Sequence, residues 1–219
     1  MSSLTTSPRV RRGDRVSRRG QPAWEVAYLF PEQGTWTAEE YLALDCTGGR
    51  LIELVDGSLE VLPMPDLVHQ RLVKYFHRQL DDFVTDGGLG EVYFAPLPLP
   101  LKAGRFREPD VIFVRPEQLV PQSGYPLGAD LVMEVVSPGA ANRKRDLETK
   151  RREYAAAGIA EYWIIDPEQK RVSVLRLRGK TYRTHGEFGL GDMATSALLT
   201  GFAIEVKRLF GFGKPVAGK

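Results

Sequence analysis

The chain has 219 residues, 42% hydrophobic and 26% charged, with a net charge of +2. That length suffices for one α/β domain burying about 70% of the surface its unfolded chain exposes, so size alone demands neither disulfides nor a structural metal. A single cysteine, Cys46, excludes an intramolecular disulfide and a multi-cysteine metal site. No apolar run approaches the roughly 18 residues of a membrane span, and the N-terminal charges have no apolar segment behind them, so a soluble, cytoplasmic protein is expected.

Residues 1–22, "MSSLTTSPRVRRGDRVSRRGQP", lack an apolar period and read as a disordered, arginine-rich tail. Residues 1–20 hold six arginines against one acid, leaving 24 basic and 27 acidic residues elsewhere. The tail is either a solvated segment or one that slides along phosphates. Residues 23–212 are expected to form one domain, with 213–219 a flexible C-terminal tail.

"TAEEYLAL" predicts a short helix from near Thr37, with Tyr41, Leu42 and Leu44 turned inward. "GGRLIELVDGSLEVLP" predicts a β-hairpin closing at Asp56-Gly57. Asp66 is placed to cap a helix running to about Val84, with Leu72, Val73, Phe76, Leu80 and Phe83 at helical spacing. "GEVYFAPLPLPL" reads as a strand entering a proline-rich extended segment, and "FREPDVIFVRP" and "ADLVMEVVSP" as two further strands. A polar loop then leads to a helix from about Asp146 to Ala157, stopped by Gly158. "EYWIIDP" is a strand ended by Pro167, and "KRVSVLRLRGKTY" a strand entering an antiparallel hairpin. "SALLTGFAIEVKRLF" mixes strand and helix signals. There is neither an internal repeat nor an interdomain linker.

Two of these strands carry acids where apolar side chains belong. Asp110 opens an apolar strand directly after Pro109, and Glu134 interrupts the run Leu131–Val136. Neighbouring strands lie about 4.8 Å apart, so inward carboxylates on both would repel, and a divalent cation such as magnesium resolves that repulsion. The alternative is a solvent-edge Asp110 and a Glu134 neutralised by a local arginine. Lys150 lies between Leu147 and Tyr154 on the inner stripe of its helix, where it would face the carboxylates and neutralise phosphate charge. It also stands four residues after Asp146, as in a surface ion pair.

The hairpin register sets Glu53 opposite Glu60. Like charges directly opposite are unfavourable. Glu60 reads as solvent-facing and relieved by basic side chains, while Glu53, between Ile52 and Leu54, is the better site candidate. His69, in the first turn of its helix, is either a satisfied half-buried residue or a ligand or proton-transfer group. The aromatics of "EVYFAP" and "EYWIID" sit in strands of core character, although base stacking stays open.

Taken together, "IELVDGSLEVLPMPDLVHQ", "REPDVIFV" and "DLVMEVVSPGAANRKRDLETKRREYAAAGIAEYWIIDP" resemble the Uma-two domain family, described as restriction endonucleases and similar to the PD-(D/E)XK nuclease superfamily. The resemblance runs from Thr35 to Phe210 and is most specific over Glu134–Trp163. It implies a restriction-endonuclease-like α/β fold: a central mixed sheet flanked by helices, with an N-terminal β-hairpin and C-terminal antiparallel strands. It also implies Mg2+- or Mn2+-dependent hydrolysis of nucleic acid, expected to be DNA, with Asp110 and Glu134 as metal ligands. The superfamily lysine normally stands two residues after the second acid, where this chain has Val136; Lys150 is its expected replacement. Glu53, His69 and Asp146 match further family positions, in supporting roles.

The late hairpin is compatible with a homodimer that cuts both strands of a duplex. A second expectation is a nuclease-fold binding or regulatory module without catalysis. A third, chemistry on a non-nucleic-acid phosphate, ranks last because no glycine-rich phosphate loop is present.

Overall fold

The structure is a computed structural model describing residues 31–44, 51–119 and 124–212. The arginine-rich tail, the C-terminal tail and Cys46 lie outside the described residues.

Helix α1 (Ala38–Leu42) starts at a capping box in which Thr37 and Glu40 each bond the other's backbone amide. Its inward stripe reduces to Tyr41, which is buried; Leu42 is exposed and Leu44 only half-buried, because five residues are too few for a second inward turn. Strands β1 (Ile52–Val55) and β2 (Ser58–Val61) form the expected hairpin. Helix α2 (Leu67–Asp86) begins where expected, the His69 amide donating to Asp66 Oδ1 at 2.8 Å, and runs slightly past Val84.

The proline-rich segment gives β3 (Glu91–Phe94) and β4 (Leu99–Lys102). "FREPDVIFV" is two strands rather than one: β5 (Arg105–Arg107) and β6 (Val111–Val114). Pro109 has no amide hydrogen to offer a ladder and restricts the residue before it, so the chain leaves one sheet and enters another at Glu108–Asp110.

Strand β7 (Leu131–Val135) leads to helix α3 (Ala140–Lys144), a π-helical turn over Arg145–Thr149, and helix α4 (Lys150–Ala156). Helical structure therefore starts six residues before Asp146. Gly139, at φ 94°, opens it with a conformation that a Cβ would strain, and the strong helix-forming run that follows replaces the expected loop. Then come β8 (Glu161–Asp166), β9 (Arg171–Arg178) and β10 (Thr181–Phe188). The mixed C-terminal signal resolves into β11 (Met193–Thr195), β12 (Ala203–Glu205) and α5 (Val206–Gly211).

A four-stranded antiparallel sheet has the order β2-β1-β5-β4, and a six-stranded mixed sheet the order β10-β9-β8-β7-β6-β3. Among the described residues β7 and β8 are the one parallel pair of the larger sheet, joined by the α3–α4 crossover. Strand alternation divides its core in two. Leu131, Met133 and Val135 pack with Trp163 against Phe76 and Leu80 of α2. Val132 and Val136 face the other way, with Tyr162 against Tyr154 of α4. Glu134 shares that second face, and helices cover both. Among the described residues no helix is long and apolar enough to cross a membrane.

Phe76 is fully buried, its ring centroid 5.2 Å from Trp163 and 6.1 Å from Phe202. Phe76→Ala is expected to destabilise the fold by about 3–5 kcal/mol through the cavity left behind, read as a lower urea midpoint with an unchanged m-value.

Candidate active site

β6 and β7 pair antiparallel with Val111 opposite Met133, so one step further Asp110 stands across from Glu134 on the same face. The two acids are 7% and 4% exposed. Asp110 is fixed by the Val135 amide, which donates to its Oδ2 at 2.7 Å, and by His69 Nε2 at 3.2 Å from the same oxygen. Its strand-end position is thus an enclosed one, in the wall of a cleft of about 300 Å³ also lined by Glu134, His69, Asp146 and Lys150.

Glu134 is paired with a lysine rather than an arginine. Lys150 Nζ donates to its Oε1 at 2.7 Å, and the Tyr154 hydroxyl, one helical turn on, donates to the same oxygen. Lys150 is 1% exposed and also lies 3.4 Å from Oε1 of Glu53. One buried ammonium therefore joins the two sheets.

Behind it stands Arg107, 1% exposed. Its guanidinium donates to Glu53 Oε2 at 2.7 Å, to Glu60 Oε2 at 2.8 Å, and to both oxygens of Glu153 on α4 at 2.8 and 3.0 Å. Glu53 completes its bonding with the Glu108 amide at 3.0 Å. The register does set Glu53 opposite Glu60, and Arg107 resolves their repulsion.

Asp146 does not pair with Lys150. The π-helical turn removes the four-residue alignment an ordinary helix would give. Its carboxylate instead accepts from the Ser137 amide at 3.0 Å and from Arg145 Nε at 3.0 Å, while its carbonyl accepts from Tyr162 at 2.9 Å. Asp146 thereby ties the end of β7 to the helix carrying Lys150.

Burial pushes the Glu134 carboxyl up to about 7; Lys150 opposes the shift, while Asp110, Asp146 and Glu53 add repulsion. Burial alone would lower the Lys150 pKa, but Glu134 and Glu53 hold it above the ordinary lysine value. Burial would likewise raise Glu53, yet Lys150 and Arg107 hold it below the usual carboxylate value. His69 loses basicity to burial and regains more from Asp110, for a net upward shift.

Glu108, which pattern reading passed over, also lines the cleft. It is 8% exposed, and burial together with Glu53 pushes its carboxyl up to about 7. Among the described residues its Oε2 and the Nδ1 of His69 are buried without hydrogen-bond partners. The bonds to Asp110 fall on Oδ2 and those to Glu134 on Oε1, so each keeps its second oxygen unengaged by described protein groups. Carboxylate oxygens suit a hard cation such as Mg2+ or Mn2+. Among the described residues no group of three or more His, Cys, Asp or Glu side chains is arranged to hold a metal ion.

Arg107→Met leaves buried Glu53 and Glu153 without their cation, and is expected to cost about 3–5 kcal/mol in urea unfolding.

Residues 38–207 match the Uma2 family, described as "Putative restriction endonuclease". Among solved structures the chain is similar to "a putative nuclease belonging to DUF820 from Anabaena variabilis", with a TM-score of 0.67 and 17% sequence identity, covering 80% of this chain and 98% of that one. At that identity the likeness is one of fold. No curated protein matches the chain. A family match over most of the sequence, on a mixed α/β fold shared with that structure, places this chain in the Uma2 family of restriction-endonuclease-like proteins.

Proposed function

We propose that the protein is a divalent-metal-dependent nuclease that hydrolyses phosphodiester bonds of nucleic acid, with DNA as substrate. The observation that carries the reading is the meeting of Asp110, Glu134 and Lys150 at one cleft: two acids in register across adjacent strands, and a buried lysine from the following crossover.

Asp110 and Glu134 would hold Mg2+ or Mn2+, which when bound polarises a phosphoryl oxygen and makes water more acidic. The rest is done by side chains. His69 and the Val135 amide fix Asp110, and Tyr154 and Lys150 fix Glu134. Lys150 is held protonated close to where a phosphate would sit, so its charge stabilises the negative charge developing in the transition state. Glu53 and Arg107 set its position from behind.

A second reading, a nuclease-fold module that binds without cutting, draws on the Lys150–Glu134 contact, which engages one of the oxygens a cation would use. Glu134→Gln and Lys150→Met separate the two. Each is expected to reduce magnesium-dependent cutting of plasmid and short duplex by about a hundredfold or more, with thermal midpoints measured alongside. Wild-type cutting that survives excess chelator, or persists in Glu134→Gln, would contradict the metal-nuclease reading; no cutting under any condition would favour the module.

The pH dependence follows from Glu134. Its folded pKa of about 7 keeps part of it protonated below neutrality, and a cation must displace that proton. Magnesium affinity measured by calorimetry is therefore expected to rise by up to about tenfold per pH unit below 7 and to level off above it. In Glu134→Gln that dependence should be lost.

A further inference from the structure

At the end of the large sheet away from the cleft, β9 and β10 are joined through Gly179-Lys180. The stretch "RLRGKTYR", Arg176–Arg183, holds four cations and no acid. Arg176, Arg178, Lys180 and Arg183 are all exposed. Arg176 stands directly across from Arg183, a like-charge pair that weakens a ladder. Arg178 lies two residues from Arg176 on the same face, about 6.7 Å along the strand.

Neighbouring acids do not relieve this. Glu161 is the partner of Arg176 in β8, but it is fully buried, and its oxygens are taken by the Ser196 hydroxyl, the Ala197 and Leu198 amides and the Trp163 indole. The ion pair along this hairpin, Arg171–Glu187, lies at its other end. Among the described residues none of the four cations has an ion-pair partner. The cleft has the opposite character: Asp66, Glu108, Asp110, Glu134, Asp146 and Glu168 outnumber its basic residues. A polyanionic substrate has little to grip there.

We propose that the β9–β10 tip is an anchoring surface for the phosphate backbone of duplex DNA, separate from the cleft, an assignment that rests on the nuclease reading. In the ladder Arg171 stands opposite Asp166, next to Pro167 and Glu168 of the cleft wall. Arg176 and Arg178 lie five and seven residues further along β9, about 17 and 23 Å at 3.3 Å per residue. A duplex spans that distance in about five to seven base pairs, presenting a charge every 1.7 Å or so of its axis. A duplex is stiff over about 150 base pairs, so one straight backbone stays in reach of cleft and tip together, which a flexible single strand does not ensure. A second copy of the chain is a poor occupant, because pairing along the β10 edge would bring more positive charge to the Arg176–Arg183 pair.

The test is fluorescence anisotropy of the full chain with a labelled 30-base-pair duplex, in chelator, from 50 to 200 mM salt. The variant R176Q/R178Q/K180Q/R183Q is expected to bind at least about tenfold more weakly, with the log–log salt slope shallower by about 3 to 4. R183E, which turns the cross-strand clash with Arg176 into an attractive pair on the edge strand β10 and protects the fold, should weaken binding as well. The same sequence as a single strand should bind less tightly than the duplex. Unchanged affinity in both variants, equal or tighter single-strand binding, displacement by polyglutamate as effective as by unlabelled duplex, or no DNA binding by the wild type would overturn the proposal. Cutting with magnesium is read in parallel: DNA binding through the tip without cutting contradicts the nuclease reading alone, and cutting with tip-independent affinity contradicts this proposal alone.

Discussion

Lys150 is a positive charge buried from solvent, and most of the site follows from how its charge is balanced. An isolated buried ammonium costs several kcal/mol. Here Glu134 on one sheet and Glu53 on the other share it. Two buried carboxylates on one ammonium leave a negative surplus, and Arg107 takes up part of it at Glu53 while also holding Glu153, three residues along the helix from Lys150. The helix, the hairpin and the central strand are thus locked by one chain of charges. Because Arg107 neutralises Glu53, the charge of Lys150 stays directed toward Glu134 and the cleft.

Two irregularities of the backbone create that meeting point. Pro109 ends β5 and lets the chain restart as β6 in the other sheet, which puts Arg107, Glu108 and Asp110 within four residues of one another while assigning them to a buried clamp, a cleft wall and a strand-end acid. The π-helical turn over Arg145–Thr149 turns the Asp146 carboxylate to the Ser137 amide and delivers Lys150 to Glu134 one turn later. A regular strand and a regular helix would place neither acid nor lysine in this way.

Much of this was legible in the sequence because it violates local pattern. Glu134 within Leu131–Val136 and Glu53 between Ile52 and Leu54 are acids at core positions, and Lys150 lies on an apolar stripe. Each is buried in the structure. The hairpin register, the Asp66 cap and the α2 stripe followed from turn and helix periodicity. Arg107, Glu108 and Glu153 stayed hidden because "FREPDVIFV" scans as a single strand and an arginine two residues before a proline looks like a surface residue. The one available signal was charge balance: buried Glu53 needed a cation, and no basic residue adjoins it in the sequence. The helix start at Ala140 is not legible in the pattern, because a glycine at positive φ and a π-helical turn leave no periodic trace.

All of this turns on whether Asp110 and Glu134 share a cation despite the lysine already bonded to one of them. Anomalous diffraction from crystals grown with Mn2+ measures that directly. The account predicts a single strong peak about 2.2 Å from a carboxylate oxygen of each residue, with Lys150 still beside Glu134. A peak bound elsewhere, or no peak at saturating manganese, would contradict it.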